Sequence, residues 1–270
     1  MRDPRSPKFE IRNLAIRNSL VAPPLLLSHP MKVHFLGCGD AFGSGGRNQT
    51  AYLLEDQGRL FLLDCGPAAL SALKRAGFRP DALDAVLLTH LHGDHFGGLP
   101  FLFIDYLYNT PRSRPLPGAG PPGTEESVRR LMTLMYGEKD LPFVEFSVLE
   151  PGARASTAGL EIRAFRVPHQ TDDISLGLRV TLEGKTVLFS GDSSWTDAFI
   201  DQSEGADLFI CECCFFDSDS TTQMSYSKIA ANRDRLTCKQ LILTHMGEEM
   251  LARSGTLPVL TAHDGLVVEI

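Results

Sequence analysis

Three imidazoles and one carboxylate lie within the heptapeptide Thr89-His90-Leu91-His92-Gly93-Asp94-His95. This heptapeptide directly follows the apolar run at residues 85–88, which predicts a buried strand that ends where the polar side chains begin. Burying such side chains on an apolar strand end costs free energy unless a partner satisfies them. Imidazole and carboxylate ligands without a thiolate are typical of zinc, manganese or iron sites. The spacing therefore predicts a metal site, with activated water as its chemistry.

Three more ligand-type residues each follow a predicted strand: His169, Asp192 and His245. The apolar runs before them end at residues 167, 189 and 243. The dipeptide Thr244-His245 also repeats the arrangement of Thr89-His90. Taken alone, each of the three would more often be a turn residue than a ligand. In a chain that already carries the heptapeptide, each becomes a candidate ligand.

A glycine-rich stretch at residues 37–47 separates two predicted strands. It lacks the Lys-Ser/Thr of a nucleotide P-loop, and no helix follows it. Two interpretations stay open. The stretch is either a loop beside the site, with Arg47 available to an anionic group, or a turn-rich connection between strands.

The composition indicates an ordinary globular chain. Its 270 residues are enough for one large domain or two small ones, with 43% hydrophobic and 22% charged residues. The net charge of -7 argues against a broad nucleic-acid surface, although not against a small basic pocket. No window of about eighteen uninterrupted apolar residues predicts a membrane span.

Residues 1–30 differ from the rest of the chain. Basic residues precede an apolar run that Pro23-Pro24 interrupts, which is not typical of a signal peptide. We therefore expect a poorly ordered extension at residues 1–30 and a single domain at residues 31–270.

The six cysteines lie mostly in apolar, strand-like runs, as reduced thiols do in cytoplasmic proteins, so a cytoplasmic location is expected. The segment Cys211-Glu212-Cys213-Cys214 could suggest a thiolate metal site. Its thiols are too crowded for the usual zinc spacing, and the preceding apolar residues favour a buried strand.

Apolar periodicity predicts the remaining elements. Strands are expected at residues 31–36, 50–54, 60–63, 143–149, 160–167, 175–182, 185–189, 207–211 and 240–243, with a closing strand after Gly265. Helices are expected at residues 67–75, 96–108, 124–135 and 226–233. Thr124 is the expected N-cap of the third helix, and the Pro- and Gly-rich residues 110–123 are expected to form a loop.

The complete ordered series resembles the metal-binding signature of the metallo-β-lactamase superfamily of hydrolases: His90, His92, Asp94, His95, His169, Asp192 and His245. The resemblance covers residues 31–270. It implies an α/β (α+β) fold, a four-layer αβ/βα sandwich of two mixed β-sheets flanked by helices. The series contains no ligand cysteine, and shorter matches to the family occur at residues 36–41, at 120–123 and at Asp264-Gly265. Within the superfamily, these features most resemble the ribonuclease Z and phosphodiesterase branch.

The resemblance also implies two divalent cations, with zinc favoured and manganese or iron as alternatives. One cation would be held by His90, His92 and His169. The other would be held by Asp94, His95 and His245. Asp192 would bridge the two, which makes Asp94 and Asp192 the expected catalytic carboxylates, and Asp64 would support a ligand histidine from behind.

The expected activity is that of a dinuclear metal hydrolase of the phosphodiesterase type, acting on a small or nucleotide-like substrate. Candidate substrate contacts are Arg47, Ser193, Ser194 and Gln223. No membrane partner and no extended nucleic-acid surface are expected, and homodimerisation stays open.

Three other activities are alternatives to this one. The first is a carbonyl hydrolase, such as an esterase, lactonase or thioesterase, on the same metals. The second is tRNA 3′ processing. Members of the family with that activity carry a histidine where Gln223 stands, glutamine cannot serve as a general acid, and no long tRNA-gripping arm is present. The third is a non-hydrolytic redox or binding protein. Redox members of the superfamily usually carry a flavin-binding domain as well, and the sequence is not expected to have room for one.

Overall fold

The computed structural model describes residues 30–171 and 173–270. The extension predicted at residues 1–30 thus lies outside the described residues, apart from Pro30. Within the described ranges the strands form two seven-stranded sheets, and α-helices cover the outer face of each.

The first sheet has the strand order β14-β1-β2-β3-β4-β5-β6. Its strands are β1 (Lys32–Gly37), β2 (Ala51–Asp56), β3 (Arg59–Leu63), β4 (Ala85–Leu87), β5 (Leu116–Gly120), β6 (Val144–Val148) and β14 (Val267–Glu269). The pairs around β1 and β2 are antiparallel, whereas β3, β4, β5 and β6 run parallel to one another. The sheet is therefore mixed.

The second sheet has the order β13-β12-β11-β10-β9-β8-β7. Its strands are β7 (Arg154–Thr157), β8 (Leu160–Arg166), β9 (Leu176–Leu182), β10 (Lys185–Phe189), β11 (Leu208–Glu212), β12 (Gln240–Thr244) and β13 (Leu260–Thr261). The strands from β7 to β10 pair antiparallel, and those from β10 to β13 pair parallel. This sheet is mixed as well.

The α-helices are α1 (Ala69–Arg75), α2 (Gly93–Phe96), α3 (Leu99–Tyr108), α4 (Thr124–Tyr136), α5 (Ala198–Ser203), α6 (Tyr226–Asn232) and α7 (Glu248–Leu251). Single 3₁₀ turns occur at Ser44–Gly46, Pro80–Ala82, Arg233–Arg235 and Ser254–Thr256. Among the described residues, every helix is too short or too polar to cross a bilayer.

Three apolar layers hold the sandwich together, and burial of their side chains is the main stabilising term. The inner layer lies between the sheets and includes Phe35, Leu54, Leu178 and Ile210. A second layer packs the first sheet against α1, α3 and α4 through Leu73, Leu102 and Val128. A third packs the second sheet against α5, α6 and α7 through Phe199, Ile229 and Met250. The predicted four-layer αβ/βα sandwich is confirmed.

The helix predicted at residues 96–108 is interrupted. Its first part belongs to α2, and α3 begins only after Gly97 and Gly98. The amide of Gly98 donates to the carbonyl of Cys65, and a Cβ on Gly98 would stand 2.1 Å from the carbonyl oxygen of Gly66. This close backbone approach requires glycine, and it brings α2 against the loop after β3.

Two other local expectations were wrong. Thr124 is not the N-cap of α4, because Gly123 occupies that position with φ +84° and the Thr124 hydroxyl donates to the carbonyl of Pro121 at 2.6 Å. The Pro- and Gly-rich loop at residues 110–123 contains β5, which pairs with β4 and β6 although it includes Pro117 and Gly118. Pairing on both sides overrides the weak strand propensity of these residues.

Candidate metal centre

The seven predicted ligands meet at one edge of the sandwich, where strands of both sheets end. His90 and His92 follow β4, and Asp94 and His95 lie in α2. The rest follow β8, β10 and β12: His169, Asp192 and His245. The structure therefore brings together side chains that are as far as 155 positions apart in the chain, counting from His90 to His245.

The side chains form two adjoining groups, and within each group the candidate ligand atoms lie within 4.8 Å of one another. The first group is His90, His92 and His169. In it, Nδ1 of His92 lies 3.1 Å from Nε2 of His90 and 3.1 Å from Nε2 of His169. Three nitrogens thus converge on one point, as a nitrogen-ligated cation requires.

The second group is Asp94, His95, Asp192 and His245. Nε2 of His245 lies 3.3 Å from Oδ2 of Asp94 and 3.3 Å from Oδ2 of Asp192. Nε2 of His95 lies 3.1 Å from Oδ1 of Asp192. Asp192 also lies 3.9 Å from Nε2 of His169, so its carboxylate stands between the two groups.

Asp64 sets the tautomers of two of these histidines. Its carboxylate accepts hydrogen bonds from Nδ1 of His95 at 2.7 Å and from the Thr89 hydroxyl at 2.8 Å. Because that hydroxyl gives its proton to Asp64, it accepts from Nδ1 of His90, 3.0 Å away. In their neutral forms, both histidines therefore direct an unprotonated Nε2 into the site, as a cation requires.

The orphaned nitrogen of His95 tests whether a cation fits. Nε2 of His95 is buried and makes no hydrogen bond, although two carboxylate oxygens lie 3.1 and 3.3 Å away. In the neutral form of His95, the lone pair on Nε2 faces carboxylates that repel it, whereas a divalent cation between them would satisfy all three groups. The mixed nitrogen and oxygen donors are those that zinc, manganese and iron accept. The fold and this cluster together indicate divalent-metal binding.

The protonation states of the site side chains depend on their charged neighbours as well as on burial. Burial raises the pKa of Asp192, but the neighbouring His245 and His95 outweigh burial and hold it well below its ordinary value. Burial lowers the pKa of His90, and His95 lowers it further. For His245, the carboxylates of Asp192 and Asp94 overcome burial and raise the pKa to about 10. Asp192 is therefore ionised and His90 neutral at pH 7.

Two site residues adopt backbone conformations that L-residues seldom adopt. Asp64 has φ +56° and His245 has φ +55°, in the left-handed region, and both side chains are buried. Such a conformation costs free energy and persists only where the surroundings enforce it. In both cases it directs a site side chain inward from the residue after a strand.

Glu212 was missed as a site residue. It is fully buried at the end of β11, its carboxylate accepts from the amide of Ser193, and Oε1 lies 4.0 Å from Nδ1 of His245. Burial raises the pKa of Glu212 well above its ordinary value, and Asp192 raises it further. The sequence offered one signal for Glu212. A carboxylate inside the apolar run before Cys213 is expected to be buried, and a buried acid needs a partner.

Gln170 was also missed. Its side-chain amide nitrogen lies 2.8 Å from Nε2 of His92, and its oxygen accepts from the hydroxyl of Ser175 at 3.2 Å. The contact orients His92 so that Nδ1 faces the first group. The position directly after His169 was the only signal in the sequence.

Two of the predicted substrate-contact residues, Arg47 and Ser193, form hydrogen bonds to other groups of the protein. Arg47 Nη1 donates to the carbonyl of Ala262 at 2.7 Å. The Ser193 hydroxyl donates to the carbonyl of Ser194 at 2.5 Å, and the side chain is fully buried. These contacts fix the loops around the site.

The remaining two predicted contacts also bind neighbouring groups. The Ser194 hydroxyl donates to the carbonyl of Ser220 at 2.9 Å. With its amide nitrogen turned to donate, Gln223 reaches Oε1 of Glu212 and the carbonyl of Thr222. Gln223 thus lies one contact away from His245, through Glu212.

The cysteines take no part in either group. All six are free and buried, and Cys211 lies in β11 as the strand prediction required. Burial raises the pKa of Cys213, and Glu212 raises it further. A thiolate ligand set is therefore disfavoured.

A cleft of about 550 Å³ opens between the loops that carry Asp40, Cys214 and Gly247. Two exposed aromatic residues line it, Phe42 from the glycine-rich loop and Phe215 from the loop after β11, at 89% and 36% exposed. Gly247, two residues after His245, lines the same cleft. We call it the aromatic cleft. An aromatic side chain left in solvent in a cleft is suited to stack on a flat ligand.

Known proteins resemble this chain in sequence and in fold. The family model described as Anti-Pycsar protein Apyc1 matches residues 31–260. A relative named "Probable metallo-hydrolase YhfI", from Bacillus subtilis, is 30% identical over 223 residues, which cover 80% of this chain and 87% of the relative. Ribonuclease Z of Bradyrhizobium diazoefficiens is 27% identical over an alignment of 282 positions, gaps included, that covers 83% of this chain and 93% of the relative.

Two solved structures resemble the fold of this chain. The metallo-β-lactamase fold protein YhfI from B. subtilis has a TM-score of 0.75 at 28% identity, with 90% of this chain and 100% of that chain covered. The short form of human tRNase Z has a TM-score of 0.72 at 26% identity, with 88% and 98% covered.

Proposed function

We infer that this chain, which belongs to the Anti-Pycsar protein Apyc1 family and to the metallo-β-lactamase superfamily of hydrolases near ribonuclease Z, is a dinuclear phosphodiesterase. Metal-dependent hydrolysis follows from its relatives. The dinuclear part of this proposal is carried by one observation. The Asp192 carboxylate lies 3.3 Å from Nε2 of His245 in one group and 3.9 Å from Nε2 of His169 in the other.

We assign one cation to His90, His92 and His169. A second is assigned to Asp94, His95 and His245. Asp192 would contact both. Two adjacent cations, zinc before manganese or iron, would lower the pKa of bound water towards neutrality and bind the oxygens of a phosphodiester. The rest of the chemistry belongs to the chain's own side chains.

Asp94 is the partly exposed member of the second group, whereas the other three are buried. Burial raises the pKa of Asp94, but the neighbouring His245 and His95 lower it well below the ordinary value. Its carboxylate is therefore ionised and reachable by solvent. Because so low a pKa makes Asp94 a weak base, we assign to it a hydrogen bond from the attacking water that orients the water.

The aromatic cleft supports a nucleotide-like substrate. Stacking of a base on an aromatic side chain contributes about 1–3 kcal/mol in nucleic-acid complexes. Phe42 and Phe215 offer such faces in the cleft that Gly247, two residues after His245, also lines. A phosphate at Asp192 and a base in this cleft would belong to one small molecule.

The direct test uses purified protein loaded with Zn²⁺ or Mn²⁺. We expect hydrolysis of bis(p-nitrophenyl) phosphate and of small nucleotide phosphodiesters, and Asp192→Ala is expected to abolish both. His34→Ala is the matched control, because His34 binds Glu55 at 2.8 Å in the first sheet, away from the site. A metal-loaded protein that cleaves lactones or thioesters but no phosphodiester would overturn the assignment.

A second candidate, RNA 3′ processing, is favoured by the relatives named ribonuclease Z. Those names conflict in part with the expectation of no extended nucleic-acid surface. Against this candidate, Gln223 cannot donate a proton as a general acid, and the net charge is -7. Cleavage of a precursor tRNA at a rate matching that of small phosphodiesters would favour the second candidate.

A further inference from the structure

Three arginines face one another across adjacent strands of the second sheet. Arg154 of β7 is the register partner of Arg163 of β8, and Arg163 is the register partner of Arg179 of β9. Register partners project from the same face of a sheet. We call Arg154, Arg163 and Arg179 the arginine row.

The arginine row lacks matching acidic partners. Among the described residues, neither Arg154 nor Arg163 has a salt bridge, and Arg179 donates to the backbone carbonyl of Gln202 in α5. Like charges directly opposite each other on a sheet are destabilising. Burial lowers the pKa of Arg179, and Arg163 lowers it further, whereas Glu204 and Asp207 act in the opposite direction. The pairing of the strands therefore keeps three positively charged side chains close together although they repel one another.

A cavity of about 370 Å³ lies over the arginine row. The neighbouring register line, Ser156, Glu161 and Thr181, forms the other side of the cavity. Two of these residues bring hydroxyl groups, and Glu161 is the one carboxylate in the lining. Three guanidinium groups against one carboxylate leave the cavity positively charged on a chain whose net charge is -7.

The geometry of the arginine row fits an extended anion with several charges. Strands of a sheet lie about 4.8 Å apart, so the three side chains span roughly 10 Å. Guanidinium groups bind phosphate through paired hydrogen bonds, and hydroxyl groups complete such sites. A chain of linked phosphates has this length and charge, whereas one phosphate would engage only part of the row.

We propose that the arginine row binds an oligophosphate group at a site separate from the metal centre. The oligophosphate is either inorganic or the phosphate chain of a nucleoside triphosphate. The proposal does not rest on the phosphodiesterase assignment, because no residue of the row contacts the metal groups.

Tripolyphosphate binding to the zinc-loaded protein, measured by calorimetry, is the test. We expect Arg163→Gln to weaken binding at least tenfold, about 1.4 kcal/mol for the lost charge-assisted contacts. Arg166→Gln is the matched control, since it removes the same charge from β8 but outside the cavity lining. Arg154→Gln is a second variant at an exposed position, in case Arg163→Gln does not fold.

Tripolyphosphate also chelates metals, so Asp192→Ala is included to separate the two sites. The proposal expects tripolyphosphate to bind Asp192→Ala as tightly as the parent. ATP binding with equal affinity identifies a nucleotide source, and weaker ATP binding identifies an inorganic one. Loss of binding in Asp192→Ala, equal losses in Arg163→Gln and Arg166→Gln, or no binding to the parent at millimolar concentration would each overturn it.

Discussion

Asp64 accepts a hydrogen bond from Nδ1 of His95 over 2.7 Å, and neither side chain is exposed to solvent. The same carboxylate accepts from the Thr89 hydroxyl, through which it acts on His90. One buried carboxylate therefore sets the orientation of a histidine in each of the two groups. Burial raises the pKa of Asp64, and His95 opposes that rise.

Asp64→Asn is expected to weaken zinc affinity about 10–100-fold, the usual cost of removing a carboxylate behind a ligand histidine. An amide keeps the size of the side chain, but it donates as well as accepts and no longer selects the Nδ1–H tautomers. Competitive zinc titration of the parent and the variant measures the effect. Asp56→Asn is the control, because Asp56 pairs with Arg59 at 2.5 Å in the hairpin between β2 and β3. Unchanged affinity in Asp64→Asn would refute this role.

Phe42→Ala is expected to raise KM for a nucleotide phosphodiester about tenfold with little change in kcat. Stacking in the aromatic cleft would bind substrate and transition state alike, and loss of about 1–3 kcal/mol per base raises KM alone. Steady-state kinetics measure both constants. Tyr108→Ala removes another exposed aromatic, 70% exposed at the end of α3, and should change neither. A fall in kcat at constant KM would contradict the assignment.

Gly98→Ala is expected to destabilise the fold, because its Cβ would meet the carbonyl oxygen of Gly66 at 2.1 Å. Overpacking against backbone costs about 1–3 kcal/mol, and each kcal/mol lowers Tm by about 2–4 °C for a domain of 150–250 residues. Thermal unfolding monitored by circular dichroism measures the change. Gly255→Ala, where an added Cβ meets nothing within 4 Å, should leave Tm unaltered.

Asp207→Asn is expected to lower stability near neutral pH but not in acid. Burial raises the pKa of Asp207, but Lys239, 2.7 Å away, and the amide of Thr186 lower it below the ordinary value. A group with a lowered folded pKa stabilises above the unfolded pKa of about 3.9 and loses that effect as pH falls through the folded pKa.

The Tm difference between the parent and Asp207→Asn should therefore shrink as pH falls from 7 to below about 4. Asp201→Asn, an exposed carboxylate in α5, should follow the parent across the same range. A difference that grows in acid would contradict the sign of the pKa shift.

The sequence predicts the meeting of the site side chains better than it predicts their supporting contacts. His90, His92 and His95 stand within one short segment, and the late members follow strand ends, which converge at the edge of such sheets. Glu212 and Gln170 could not be predicted in the same way. Their contacts depend on how β11 and the loop after β8 approach the histidines, and that approach is decided by three-dimensional packing.

The fold shows the same division between local pattern and long-range pairing. The strands with continuous apolar runs, such as β10 and β12, were predicted within a residue or two. β5 was missed because Pro117 and Gly118 argue against a strand, and only its pairing with β4 and β6 outweighs that preference. The break before α3 depends on one backbone approach, at Gly98, which periodicity cannot indicate.

Native mass spectrometry of the zinc-loaded protein tests the central claim most directly. The account predicts two zinc ions per chain in the parent. It predicts one in His245→Ala, where the first group stays complete, and two in the control His34→Ala. A parent that binds a single zinc ion, or a His245→Ala variant that still binds two, would contradict a dinuclear site bridged by Asp192.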